Sequence, residues 1–168
     1  MRVLVIGGTN FIGPYVVAAL DRLRAEVTVY HRGIHEPALP PAVRHIHSPR
    51  ATIPFLHFPS ELTEPPPDVV LHMFPVGQDD SRAAVARFAG IAKRVVAISS
   101  GDVYRAYGRV RGSEPGPPEP VPLTEDAALR QRLINAPVVR WKKPVPESAR
   151  SPRDRAWARR LPRPHLAS

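Results

Sequence analysis

The chain has 168 residues, 43% of them hydrophobic, and no cysteine, so it can bury a core of ordinary size while disulfides and thiolate metal sites are excluded. Its formal charge of +9 is uneven: from Arg140 onward nine Lys and Arg stand against only Glu147 and Asp154, which leaves a nearly neutral body and a basic tail. No apolar run approaches the ~20 residues of a membrane span, and the first residues lack the layout of a cleavable signal, so a cytoplasmic location is expected.

The first thirteen residues, MRVLVIGGTNFIG, read as strand, glycine turn and helix start. Val3-Leu4-Val5-Ile6 is apolar without alternation, as in a strand of a parallel sheet covered on both faces. Gly7 and Gly8 permit a tight turn, and Gly13 permits the next helix to approach the strand closely. The first amides of a helix have no internal partners. A dinucleotide pyrophosphate is the anion that the loop of Gly7, Gly8, Thr9, Asn10, Phe11, Ile12 and Gly13 is suited to hold. No Gly-Lys-Ser/Thr follows, which excludes a Walker loop. Phe11, Ile12, Tyr15, Val16, Ala19, Leu20 and Leu23 recur at steps of three and four, predicting a helix that lays this stripe on the sheet, with Pro14 in its first turn.

Glu26 to Tyr30 reads as the second strand, ending at His31-Arg32-Gly33. In a dinucleotide-binding βαβ unit a carboxylate at this tip accepts the ribose hydroxyls of NAD, whereas a basic residue accommodates the 2′-phosphate of NADP. His31 and Arg32 occupy the tip and no carboxylate comes before Glu36, so NADP is favoured over NAD. A proline-rich loop, Glu36 to Pro41, leads to a short third strand, Val43 to His47. His45 and His47 share a face of it. With no third ligand evident in the sequence, no metal site is read there.

Ala51 to Leu62, interrupted by Pro54 and Pro59, predicts an irregular crossover. Asp68 to Met73 is the fourth strand. Its carboxyl end is expected beside the glycine loop, at the switch point where open α/β sheets bind ligands, so that Met73, Phe74 and Pro75 flank the cofactor. A helix is predicted over Gln78 to Ala92, with Lys93 and Arg94 at its C-terminal end. The fifth strand, Val95 to Ile98, runs into Ser99 and Ser100 on the same rim as the loop.

Gly7-Gly8-Thr9-Asn10-Phe11-Ile12-Gly13 together with Ser99-Ser100-Gly101-Asp102-Val103-Tyr104 resembles the extended and atypical short-chain dehydrogenase/reductases, the NAD-dependent epimerase/dehydratase family, over about Met1 to Gly108. The resemblance implies an α/β fold of Rossmann type, a doubly wound parallel sheet of about five strands in the order 3-2-1-4-5. It also implies an NAD(P) cofactor, which the hydroxyls of Ser99 and Ser100 can face from their place on the rim, and hydride chemistry on sugar nucleotides or similar carbonyl and alcohol substrates. Gly7, Gly8 and Gly13 match the family's pyrophosphate loop, with Asn10 where glycine is commoner. Ser100 matches the serine that hydrogen-bonds the reacting oxygen.

Such enzymes also use a Tyr-x-x-x-Lys pair, in which the lysine lowers the tyrosine's pKa so that the phenol can exchange a proton. The sequence contains no such pair. Tyr107 with Arg111 is the formal stand-in, which makes Ser100 and Tyr107 the candidate catalytic residues of a chain from which impaired turnover is expected.

After Leu133 periodicity fades, and prolines punctuate an arginine-rich stretch containing Trp141 and Trp157. The expected organisation is an NAD(P)-binding domain over 1–133 and a disordered, replaced or frame-shifted end over 134–168 of a truncated member. The reading from another class is a nucleic-acid-binding protein whose tail grips phosphates and stacks on bases, with a solvated tail preferred. An oligomer is left open.

Overall fold

A computed structural model describes residues 1–49 and 53–131; the readings placed on 134–168, nucleic-acid binding included, lie outside the described residues. The elements are β1 (Arg2–Ile6), α1 (Gly13–Arg22), β2 (Glu26–His31), β3 (Arg44–His47), β4 (Val69–His72), α2 (Gln78–Phe88), β5 (Arg94–Ala97) and α3 (Arg105–Val110). All four strand pairings are parallel, in the order β3-β2-β1-β4-β5, as expected from the sequence.

The unbroken apolar run of β1 is explained by burial on both faces. Leu4 and Ile6 join Tyr30, Val70, Ala84 and Phe88 under α2 and the 53–62 crossover, while Val3 and Val5 join Val17, Val27 and Val29 under α1. Helices on opposite faces make the sheet doubly wound. At the amino-terminal ends of the strands, Asp68 accepts from the Arg2 backbone N–H at 2.8 Å and pairs with Lys93 Nζ at 2.9 Å, tying β1, β4 and β5 together. These bonds lower the Asp68 pKa to about 2.

The phase of α1 differs from the predicted stripe. Phe11, Ile12, Tyr15 and Leu23 are exposed, and the buried residues are Gly13 and Val17, with Leu20 packed alongside. The reason lies in the loop. A Cβ on Gly13 would stand 2.4 Å from the backbone carbonyl carbon and oxygen of Gly8, so the helix face carrying Gly13 must turn inward, and positions 17 and 20 follow at helical spacing.

The ends of α2 and β5 shift as well. Helix α2 ends at Phe88, which is fully buried; Ala89 adopts an extended ψ of 130°, and the Ile91 and Ala92 N–H groups close on the Phe88 carbonyl as the chain turns back toward β5. The fifth strand pairs over Arg94–Ala97 instead of Val95–Ile98, although the Ile98 N–H still donates to the His72 carbonyl at 2.9 Å. No helix among the described residues is long and apolar enough to cross a membrane.

Candidate dinucleotide-binding site

The carboxyl ends of all five strands open on one rim, with β1 at the point where the chain's crossovers diverge to either side. Open α/β sheets bind ligands there. The Gly7–Gly13 loop sits above β1. Gly7 N–H donates to the Tyr30 carbonyl at 2.8 Å and Met73 N–H to the Ile6 carbonyl at 2.9 Å, which lashes the loop between the ends of β2 and β4. Gly8 has φ +82°, and a Cβ there would lie 2.7 Å from Val5 Cγ1. No side chain fits between the loop and the strand beneath it. The amino end of α1, with Pro14 in its first turn, is therefore held close above the carboxyl end of β1.

Asn10 has a different role from a passive loop position. Its Oδ1 accepts the Phe11 N–H at 2.9 Å and supports Phe11 at φ +54°, a left-handed conformation unusual for a bulky residue. Phe11 and Ile12 consequently project from the rim, 79% and 43% exposed. Across the loop, the position of a Gly7 Cβ is 3.6 Å from Met73 Cβ and 4.0 Å from Phe74 Cβ, so Met73 and Phe74 stand against the glycines. Phe74 is exposed, and Pro75 continues the same segment half-buried.

That segment is braced from below. His72 Nε2 lies 3.0 Å from Asp80 Oδ1, and Asp80 Oδ2 accepts the Val76 N–H at 3.0 Å, with both His72 and Asp80 buried. The sequence reading passed over this pair. A histidine at the end of an apolar strand followed eight residues later by an aspartate in the first turn of a helix was the available signal.

At the tip of β2 the two expected cofactor residues part ways. Arg32 is half-buried, and removal from water lowers its guanidinium pKa. His31 is 2% exposed and does not present a cation to the rim. Burial, together with the neighbouring His47 and His45, pushes its pKa down to about 4. Its partners explain the burial: Gly33 N–H donates to His31 Nδ1 at 3.2 Å, which places the ring proton on Nε2, facing His45 Nδ1 at 3.0 Å. Of the two basic residues at this tip, Arg32 is the one left partly exposed.

A pH dependence follows from His31. Between about pH 6.5 and about pH 4 the unfolded chain holds a proton at this residue that the folded protein refuses, so stability falls as pH falls through that range. In EDTA, Tm is expected to drop from pH 6.5 to 4, with a shallower slope in His31→Gln. An identical slope in the variant would contradict this assignment.

On the other side of the rim, Ser99 and Ser100 are exposed at the end of β5. Ser100 Oγ accepts the Asp102 N–H at 3.2 Å and caps the short turn Gly101–Val103. The ring of Tyr107 lies over Gly101, its hydroxyl 3.2 Å from where a Cβ would be. Tyr107 thus stands against Gly101, the residue that follows Ser100. Arg111 is not directed to the phenol: its Nη1 pairs with Asp102 Oδ1 at 3.2 Å, and Arg130 reaches the same carboxylate. A cavity lined by Arg2, Glu26, Arg44, Glu61, Pro65 and Pro67 lies at the opposite, amino-terminal end of the strands, away from every residue of this rim.

The crystal structure of a UDP-galactose 4-epimerase superposes with a TM-score of 0.55 at 21% sequence identity, over 77% of this chain and 45% of that one. The fold is of the Rossmann type. This chain therefore spans less than half the length of that neighbour. No family model and no curated protein matches the sequence.

Proposed function

We propose that the protein binds a nicotinamide dinucleotide across the rim, as a relative of the NAD-dependent epimerase/dehydratases, with NADP preferred. The observation that carries this reading is the Gly8–Gly13 contact, a backbone cradle that any Cβ at Gly13 would fill. Gly7 to Gly13 would hold the pyrophosphate, Arg32 the 2′-phosphate, and Met73, Phe74 and Pro75, with Ser99, the nicotinamide half. The exposed apolar side chains Phe11, Ile12 and Phe74 would be covered by the ligand.

When bound, the nicotinamide supplies a hydride donor or acceptor. The chain's own contribution opposite it is Ser100, whose hydroxyl can bond a carbonyl or alcohol oxygen, and Tyr107 beside it. For a sugar-nucleotide-like or other carbonyl substrate these two groups would position the reacting oxygen. Proton transfer at the phenol lacks its usual support, because the sequence has no Tyr-x-x-x-Lys and Arg111 is engaged by Asp102. The reading is thus one of dinucleotide binding, with turnover weak or lost.

The cofactor preference is tested by titrating NADPH and NADH against the wild type and Arg32→Ala. A charge-assisted contact to the 2′-phosphate gives an expected weakening of NADPH of about tenfold or more in the variant, with NADH little changed. Equal affinities for the two cofactors in the wild type, or an unchanged NADPH Kd in Arg32→Ala, would refute the preference.

A further inference from the structure

Two histidines of β3 share a face, and the parallel register sets His47 directly opposite His31 of β2. The ring of His31 meets both, with centroids 5.1 Å from His45 and 4.6 Å from His47. The loop after β2 then brings Glu36 back, so that its Oε1 lies 2.6 Å from His47 Nε2. One donor atom from each of His31, Glu36 and His47 falls within 4.8 Å of the others. Tetrahedral zinc with N and O ligands at 2.0–2.2 Å holds its donors about 3.3 Å apart, which falls inside that 4.8 Å limit.

We propose that His31, Glu36 and His47 form a binding site for a divalent transition cation of the Zn2+ class. Two imidazoles and a carboxylate are a donor set suited to zinc, and leave a fourth position for water or a substrate atom. His31 is the fixed member. An ion bound at Nδ1 takes over the lone pair that otherwise accepts the Gly33 N–H, while Nε2 stays oriented by His45, the outer-shell arrangement that metal-bound histidines commonly have. His47 and Glu36 are the adjustable members: their side chains are 54% and 51% exposed, which gives an ion a path from solvent and allows small rotations to close the set. Neither the strand that carries His47 nor the loop that carries Glu36 belongs to the glycine cradle, so the donor set can be titrated without any nucleotide, although His31 adjoins Arg32.

The test uses the untagged full chain, stripped with EDTA and then dialysed, titrated with ZnCl2 by calorimetry at neutral pH without any nucleotide. Co2+ serves as a spectroscopic reporter of four-coordination. One equivalent is expected to bind saturably, with the visible absorption of tetrahedral Co2+. His47→Ala and Glu36→Gln alter exposed side chains and are expected to keep the wild-type circular dichroism while weakening Zn2+ by about tenfold or more. His57→Ala, on an exposed residue elsewhere, is expected to bind as the wild type does. Absence of saturable binding, affinity unchanged in His47→Ala and Glu36→Gln, or an equal loss in His57→Ala would each overturn the site.

Discussion

Gly13→Ala is expected to destabilise the protein by about 3 kcal/mol or more, the upper range for overpacking a tight contact, as measured by urea unfolding. The added methyl would sit 2.4 Å from the Gly8 carbonyl carbon and oxygen, and these are backbone atoms that cannot rotate aside. Relief requires α1 to lift from β1, which would open the packing of Val17 against Val5, both at 0% exposure. Dinucleotide affinity should fall with it, because the same displacement moves the helix amino end away from the loop. Gly77→Ala is the control. Gly77 is extended, with φ 178°, and a Cβ there meets nothing within 4 Å, so a change within about 0.5 kcal/mol is expected. A mild effect at Gly13 comparable to that at Gly77 would mean that the close approach of strand and helix is absent in solution.

Asp80→Ala is expected to cost about 3–5 kcal/mol, the range for removing one partner of a buried ionisable pair. The carboxylate is fully buried and serves two donors, His72 Nε2 and the Val76 N–H. Its loss would strand both, in a place where His72 Nδ1 already has no hydrogen-bond partner. Asp80→Asn keeps an acceptor of the same shape and is expected to lose less. The functional consequence is specific: the Val76 bond closes the segment from Met73 to Val76, and Met73 and Phe74 abut Gly7. Weakened dinucleotide binding is therefore expected in Asp80→Asn even under conditions where it remains folded. Chemical unfolding and cofactor titration of both variants check this; a stability loss below 1 kcal/mol in Asp80→Ala would contradict it.

Strand β1 and the glycine loop were legible in the sequence because a single local cause produces them. A run of Val3 to Ile6 without alternation can be satisfied only by burial on two faces, and the turn that follows needs glycine where it bends and where the helix touches. The strand order came from the family resemblance of the two motifs, while the segments between the apolar runs, long enough to cross over, are consistent with parallel pairing. The phase of α1 was not. Periodicity counts apolar residues without knowing which face is pinned, and Gly13, the residue that pins it, carries no hydrophobic signal at all. Phe11, Ile12 and Tyr15 therefore looked like core and are instead rim. The histidine cluster escaped for the opposite reason: His45 and His47 were visible as a pair, but His31 and Glu36 join them only through parallel register and the return of a loop. His31 itself was read as a basic residue offered at the β2 tip, and it is 2% exposed. Composition shows what a residue can carry, and only the fold shows that this one is buried between two other imidazoles.

The central claim is that the Gly7–Gly13 loop holds a dinucleotide, and its most direct measurement is a fluorescence titration of NADPH into the wild type and Asn10→Asp. The substitution preserves the side-chain acceptor for the Phe11 N–H while placing a carboxylate at the mouth of the loop, where it would repel a pyrophosphate. Saturable enhancement with the wild type, and affinity lower by about tenfold or more in a folded Asn10→Asp variant, is the expected result. No saturable change with the wild type, or equal affinity in the two proteins, would contradict the claim.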